Sequence, residues 1–216
     1  MAITLEFLKQ QLEVGDQLLA GRATMLEPQD LPGRYGRVVR ALDHLLQVTG
    51  GEAVLGGGWA VWRHGYVGRI TQDIDIALPT AKIDEFLQAA SVSGFEILPL
   101  QPGRWPKLRH KDTNVKVDIL PEGARPGSQS TPAPTTIPHP ARMGAVAGVL
   151  RYMTMNSLIE LKIAVGRARD ESDVVELIRA NPDKVDSIRQ HLGTVHSDYV
   201  QDFDQMVDRA NKQVDE

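Results

Sequence analysis

Between Leu55 and Ile76 the chain reads LGGGWAVWRHGYVGRITQDIDI, and its last four residues restrict the fold more than any other stretch. Asp73-Ile74-Asp75-Ile76 alternates acid with β-branched apolar residue. On a strand this puts both carboxylates on one face and both isoleucines on the other. The two acids then stand roughly 6.6 Å apart along the strand. Carboxylates crowded on one face repel, so they call for a cation, and a divalent metal bound by hard oxygen ligands supplies one.

Upstream, Gly56, Gly57 and Gly58 follow the apolar run Ala53-Val54-Leu55 and precede a predicted helix from Trp59 to His64. Glycines at a strand-to-helix turn let backbone approach a phosphate, which the free N–H groups of the helix can bind. A tight turn needing positive φ explains isolated glycines equally well. Further on, Val115, Val117 and Ile119 share one face of a predicted strand, while Lys116, Asp118 and Leu120 share the other. Spacing alone makes Asp118 an ordinary surface residue.

Gly57-Gly58-Trp59-Ala60, then His64-Gly65, Arg69, Thr71 and the Asp73–Ile76 alternation together resemble the DNA polymerase β-like nucleotidyltransferase superfamily. Within it the pattern is most similar to the AbiEii-type minimal nucleotidyltransferases of bacterial type IV toxin systems. The likeness covers about Val54 to Asp118, and more weakly Ser157 to Ile178.

The resemblance implies an α+β fold, with a small mixed sheet flanked by helices and a C-terminal helical cluster. It makes Asp118 the third catalytic carboxylate, joining Asp73 and Asp75 as ligands of two Mg2+ ions, with Mn2+ as an alternative. It implies an NTP substrate, transfer of NMP to a tRNA 3′ end or a protein hydroxyl, and a possible cognate antitoxin partner. Gly57 and Gly58 would hold the departing pyrophosphate. Lys162 would contact the triphosphate, and an aspartate of the Arg-Asp-x-x-Asp stretch, Asp170 or Asp173, would lie near the site. Arg69 and Thr71 either steady the loop or touch phosphate.

Composition restricts the alternatives. The 216 residues carry a net charge of −4, so any nucleic-acid contact must come from a local patch. No DNA-binding motif is present. Absence of cysteine excludes disulfides, thiolate metal sites and cysteine nucleophiles, and fits a cytoplasmic location. No apolar run reaches membrane length, and the charged, amphipathic MAITLEFLKQQLE is unlike a signal peptide.

Three parts are expected: a helical lead over 1–50, a core over 51–150 containing a Pro-rich loop at 121–142, and a helical subdomain over 151–216. In the lead, Leu5, Leu8, Leu12 and Leu19 fall near helical spacing. Val38, Val39, Leu42, Leu45 and Leu46 form a buried stripe, with Arg34, Arg37 and Arg40 on its solvated side. Trp59 and Trp62 read as core residues, and His64 as a packing residue. Thr80 should cap a helix over 82–90. Lys107, Arg109 and Lys111 alternate as on a charged sheet edge that could also face the acids.

The loop reads as a passive connection, with His139 solvated, and 145–152 as an edge strand. Lys162, Arg169 and Asp173, at intervals of seven and four, share one face of a continuous helix. By spacing alone they are a salt-bridged solvated stripe. Helices from Pro182 and over His196–Val214 close the chain, the latter with Asp198, Asp202, Asp204 and Asp208 outward. Two other functions suit the same residues: transfer to a small molecule, as in aminoglycoside nucleotidyltransferases, and a catalytically silent nucleotide-binding module.

Overall fold

A computed structural model of the chain describes residues 3–20, 25–67, 69–128 and 130–212. Its elements run α1 (Leu5–Leu19), α2 (Gly33–Thr49), β1 (Ala53–Leu55), α3 (Gly57–Arg63), β2 (Asp73–Leu78), α4 (Ile83–Val92), β3 (Phe95–Ile97), β4 (Lys107–His110), β5 (Lys116–Pro121), β6 (Leu150–Tyr152), α5 (Met155–Val165), α6 (Ala168–Ala180), α7 (Val185–Val195) and α8 (Ser197–Lys212). The fold is α+β, as expected. The strands form one mixed sheet in the order β3-β4-β5-β2-β1-β6. No helix among the described residues is long and apolar enough to cross a membrane.

Alternation along the central strands sorts the core into two layers. Ile74, Ile76 and Leu78 of β2 join Val117 and Ile119 of β5 and Leu108 of β4 in a cluster with α2, α3 and α4. Val54 and Ala77 point to the opposite face, where α5 to α8 supply the second cluster, including Ile159, Val174, Ile188 and Phe203. β2 and β5 run parallel, with Asp75 beside Asp118. The link between them is a crossover through α4, β3 and β4, because parallel neighbours cannot be joined by a tight hairpin.

Several expectations need correction. β3, not β4, is the outer strand, so the Lys107–Arg109 alternation lies inside the sheet. There Lys107 stands opposite Asp118, while Arg109 is bound by Glu96 of β3. Thr80 does not cap α4; its hydroxyl donates to the Glu122 carbonyl at 2.6 Å. In α1, Leu5, Leu12 and Leu19 are exposed, and Phe7, Gln11 and Gly15 face inward. Arg34 lies over the Phe7 and Tyr35 rings rather than on a freely solvated face.

The Pro-rich segment is more than a passive link. Ala133 and Ile137 are buried, and paired backbone bonds tie Gly123 and Ala124 to Ile137. The helix expected to run through Gly166 stops there: Gly166 adopts φ +63° at the end of α5, and α6 starts afresh at Ala168. Lys162 and Arg169 therefore belong to different helices. The edge strand is confined to β6, and α8 ends its described part at Lys212, leaving the expected extension to Val214 outside the described residues.

Candidate active site

Asp73 and Asp75 project from the face of β2 opposite its isoleucines, and the parallel register sets Asp118 beside Asp75 on the same face. Three acids thus share this face of the sheet, Asp73 and Asp118 lying close enough to Asp75 for their charges to act on it. Asp75 and Asp118 line a cavity of about 410 Å3. Burial, together with the charges of Asp73 and Asp118, pushes the Asp75 carboxyl up to about 7, against the opposing pull of Lys162 and Arg69.

Asp118 is held differently at its two oxygens. Its Oδ2 accepts from Lys107 Nζ at 2.5 Å, whereas its Oδ1 is buried with no hydrogen-bond partner among the described residues. No group of three His, Asp or Glu side chains among the described residues is disposed as it stands to hold a metal ion. The donors themselves fit such an ion: hard carboxylate oxygens, one of them buried without a partner.

The glycine turn packs directly on the acids. Gly57 has φ +57°, and a Cβ there would lie 1.7 Å from Asp75 Oδ2. At Gly58 a Cβ would meet Thr71 Oγ1 at 1.6 Å and Arg69 Nη1 at 2.1 Å. Both positions exclude any side chain for reasons the site itself supplies. Trp59 and Trp62 are buried as expected, and Trp62 Nε1 donates to the Arg69 carbonyl at 2.7 Å. His64 is a packing residue whose Nε2 lies 2.9 Å from the Met153 carbonyl.

A chain of ion pairs runs from Arg69 to the exposed Arg167 through the buried Asp173, Lys162 and Asp170. Arg69 Nε donates to both oxygens of Asp173 at 2.8 and 2.9 Å, and its Nη1 to Thr71 Oγ1 at 2.8 Å. Lys162 Nζ, from α5, reaches Asp173 at 2.6 Å and Asp170 at 3.2 Å, both on α6. Arg167 Nε then donates to Asp170 at 2.7 Å. Burial alone would raise the Asp170 carboxyl, but Arg167 and Lys162 outweigh it and hold the pKa below the usual carboxylate range. Lys162 and Asp173 form a buried salt-bridged pair joined to Arg69 beside the glycine turn, so the solvated stripe suggested by spacing is replaced by an interior pair, and neither residue lines the cavity over Asp75 and Asp118. Arg169 stands apart, donating to the Ile70 carbonyl at 3.0 Å.

The cavity wall adds residues that sequence reasoning passed over. Arg104, Trp105 and Arg125 line it, beside Lys107 and Arg167. The signal was present in Arg104-Trp105-Pro106-Lys107, a basic and aromatic run leading into a strand next to an acid-bearing one. Arg125 comes from the segment assigned to a connection.

No family profile matches the chain, and no curated protein does. Among solved structures, ANT(2'')-Ia in complex with adenylyl-2''-tobramycin overlaps 80% of this chain and 97% of its own, at 13% identity and TM-score 0.42. JHP933 from Helicobacter pylori overlaps 83% of this chain and 91% of its own, at 13% identity and TM-score 0.36. The Cid1 poly(U) polymerase overlaps 55% of this chain and 36% of its own, at 17% identity and TM-score 0.32. Overlaps this loose transfer neither substrate nor activity to the chain.

Proposed function

We propose that the chain is a metal-dependent nucleotidyltransferase of the DNA polymerase β-like type, moving NMP from an NTP to an acceptor hydroxyl. The observation that carries this reading is the side-by-side placement of Asp75 and Asp118, on the face that also bears Asp73, against a glycine turn with no room for a Cβ. A packing role does not call for three acids on one face of two neighbouring strands, two of them lining a cavity.

Asp73, Asp75 and Asp118 would hold Mg2+, which when bound supplies positive charge for the entering and leaving oxygens of an in-line displacement. The acceptor oxygen forms a bond to the α-phosphorus as the bond to the bridging oxygen breaks and pyrophosphate departs. Asp118 takes the acceptor proton. The Gly57-Gly58 turn lies beside the triphosphate. Arg69, Lys162, Asp170 and Asp173 fix the turn and the acids relative to each other. In this role Lys162 acts through its charge and its two aspartate partners, with Thr71 completing the bond to Arg69.

Resemblance to the AbiEii-type enzymes extends the proposal to a cytoplasmic toxin with a cognate antitoxin, using a tRNA 3′ end or a protein as acceptor. The pair of Lys107 with Asp118 favours one second reading, a nucleotide-binding module without turnover, because an ammonium stands on the third acid. Labelled NTPs with Mg2+ and total tRNA, lysate protein or aminoglycosides separate the two. Wild type should label an acceptor, and Asp75→Asn should reduce labelling by more than roughly a hundredfold. NTP binding without any labelled acceptor would leave only the binding module.

A further inference from the structure

The cavity over Asp75 and Asp118 does not end at the acids. It shares Arg104, Trp105 and Lys107 with a second hollow of about 460 Å3, which continues to Lys116. The two hollows adjoin at these three residues, giving a divided trough beside β4 and β5.

Its walls are basic although the chain as a whole carries −4. Lys107 and Arg167 are already engaged by carboxylates. Arg104 and Lys116 are exposed and enter no ion pair among the described residues, and Arg125 donates only to the Ala133 and Pro134 carbonyls. Three cations are therefore available to an anionic guest. Trp105 stands between them half-buried, whereas Trp59 and Trp62, the other two tryptophans, are interior. Cations spaced along a groove with an aromatic face between them suit a phosphodiester backbone and its bases.

We propose that this trough seats the single-stranded 3′ end of a polynucleotide acceptor. The terminal hydroxyl lies at Asp118, a neighbouring base stacks on Trp105, and backbone phosphates meet Arg104 and Lys116. This inference rests on the nucleotidyl-transfer reading above and selects among its acceptors. A polycationic aminoglycoside would be repelled by the same walls, and a protein hydroxyl has no use for the row of cations.

The test uses the intact protein and a 5′-fluorescein oligoribonucleotide on the order of ten nucleotides long. Anisotropy measures its affinity, and tryptophan emission reports its contact with Trp105. Binding should quench tryptophan emission in wild type but not in Trp105→Phe. Trp105→Ala should weaken affinity about tenfold. Arg104→Glu with Lys116→Glu, both at exposed positions, should weaken it further and flatten its salt dependence. With labelled NTP and Mg2+, the oligonucleotide should gain label, and one blocked by a 3′-phosphate should not.

Unchanged affinity in the charge-reversed variant overturns the proposal, as does oligonucleotide binding that leaves tryptophan emission untouched. Label on protein or an aminoglycoside with none on the oligonucleotide also overturns it, while nucleotidyl transfer itself stands. No label on any acceptor overturns the transfer reading, and this acceptor assignment with it.

Discussion

At Gly57 a missing methyl group decides whether Asp75 can occupy its place. Alanine there must bear a positive φ and displace the Asp75 carboxylate, so Gly57→Ala should lose transfer activity and about 1 kcal/mol of stability from backbone strain alone. Labelling assays and denaturant midpoints check both. Asp75→Asn should separate the two properties. Above pH 7 its ionised carboxylate is buried and faces Asp73 and Asp118, so the neutral amide should raise the Tm of the metal-free protein at pH 8 while transfer is lost. The gain should be roughly 2–4 °C for each kcal/mol of charge burial and repulsion relieved; an unchanged or lower Tm would contradict the buried, crowded setting of Asp75. Lys107→Met removes the ammonium from Asp118 Oδ2 and should tighten Mn2+ binding, measured by calorimetry. At this scale the sequence announced the two acids on β2 through strict alternation. It could not announce why two successive glycines are required, because only the folded turn brings the colliding atoms of Asp75, Thr71 and Arg69 onto them.

Among the elements, the break between α5 and α6 has the largest consequence. A glycine inside a helical pattern costs only about 1 kcal/mol, so Gly166 alone does not declare a stop. The turn it makes lets α6 fold back and present Asp170 and Asp173 to Lys162. Intervals of seven and four put Lys162, Arg169 and Asp173 on one face of a single helix, a geometry that is absent because two helices meet here. Lys162→Met leaves two buried carboxylates short of a cation and should cost roughly 3 kcal/mol by chemical denaturation. Asp170 also has a pH signature. Its folded pKa lies below the ordinary value, so its stabilisation is fully present above pH 4 and is lost as pH falls through the folded pKa. Asp170→Asn should flatten that acid limb in a Tm-versus-pH series.

Over the whole molecule, one sheet serves two cores. The layer holding Ile74, Ile76 and Val117 and the layer holding Val54 and Ala77 lie back to back, and Arg69 beside β2 depends on Asp173 of α6. Ending the chain after Arg167 should therefore expose one apolar face, strip Arg69 and Lys162 of their partners, and give an aggregating product in size-exclusion chromatography. A monomeric, folded fragment would show instead that the helices after Arg167 fold apart from the sheet. The layering could be read from alternation in β2 and β5. The role of 121–142 could not, because its few apolar residues, Ala133 and Ile137, are buried by partners from elsewhere in the chain. The parallel register of β2 and β5 has a kinetic corollary. Asp75 and Asp118 become neighbours only after the whole crossover through α4, β3 and β4 has closed, and non-local pairing of that kind is slow to form. A slip of one residue would turn Asp118 into the apolar layer, so the search for the correct pairing and the assembly of the acid cluster are the same folding event.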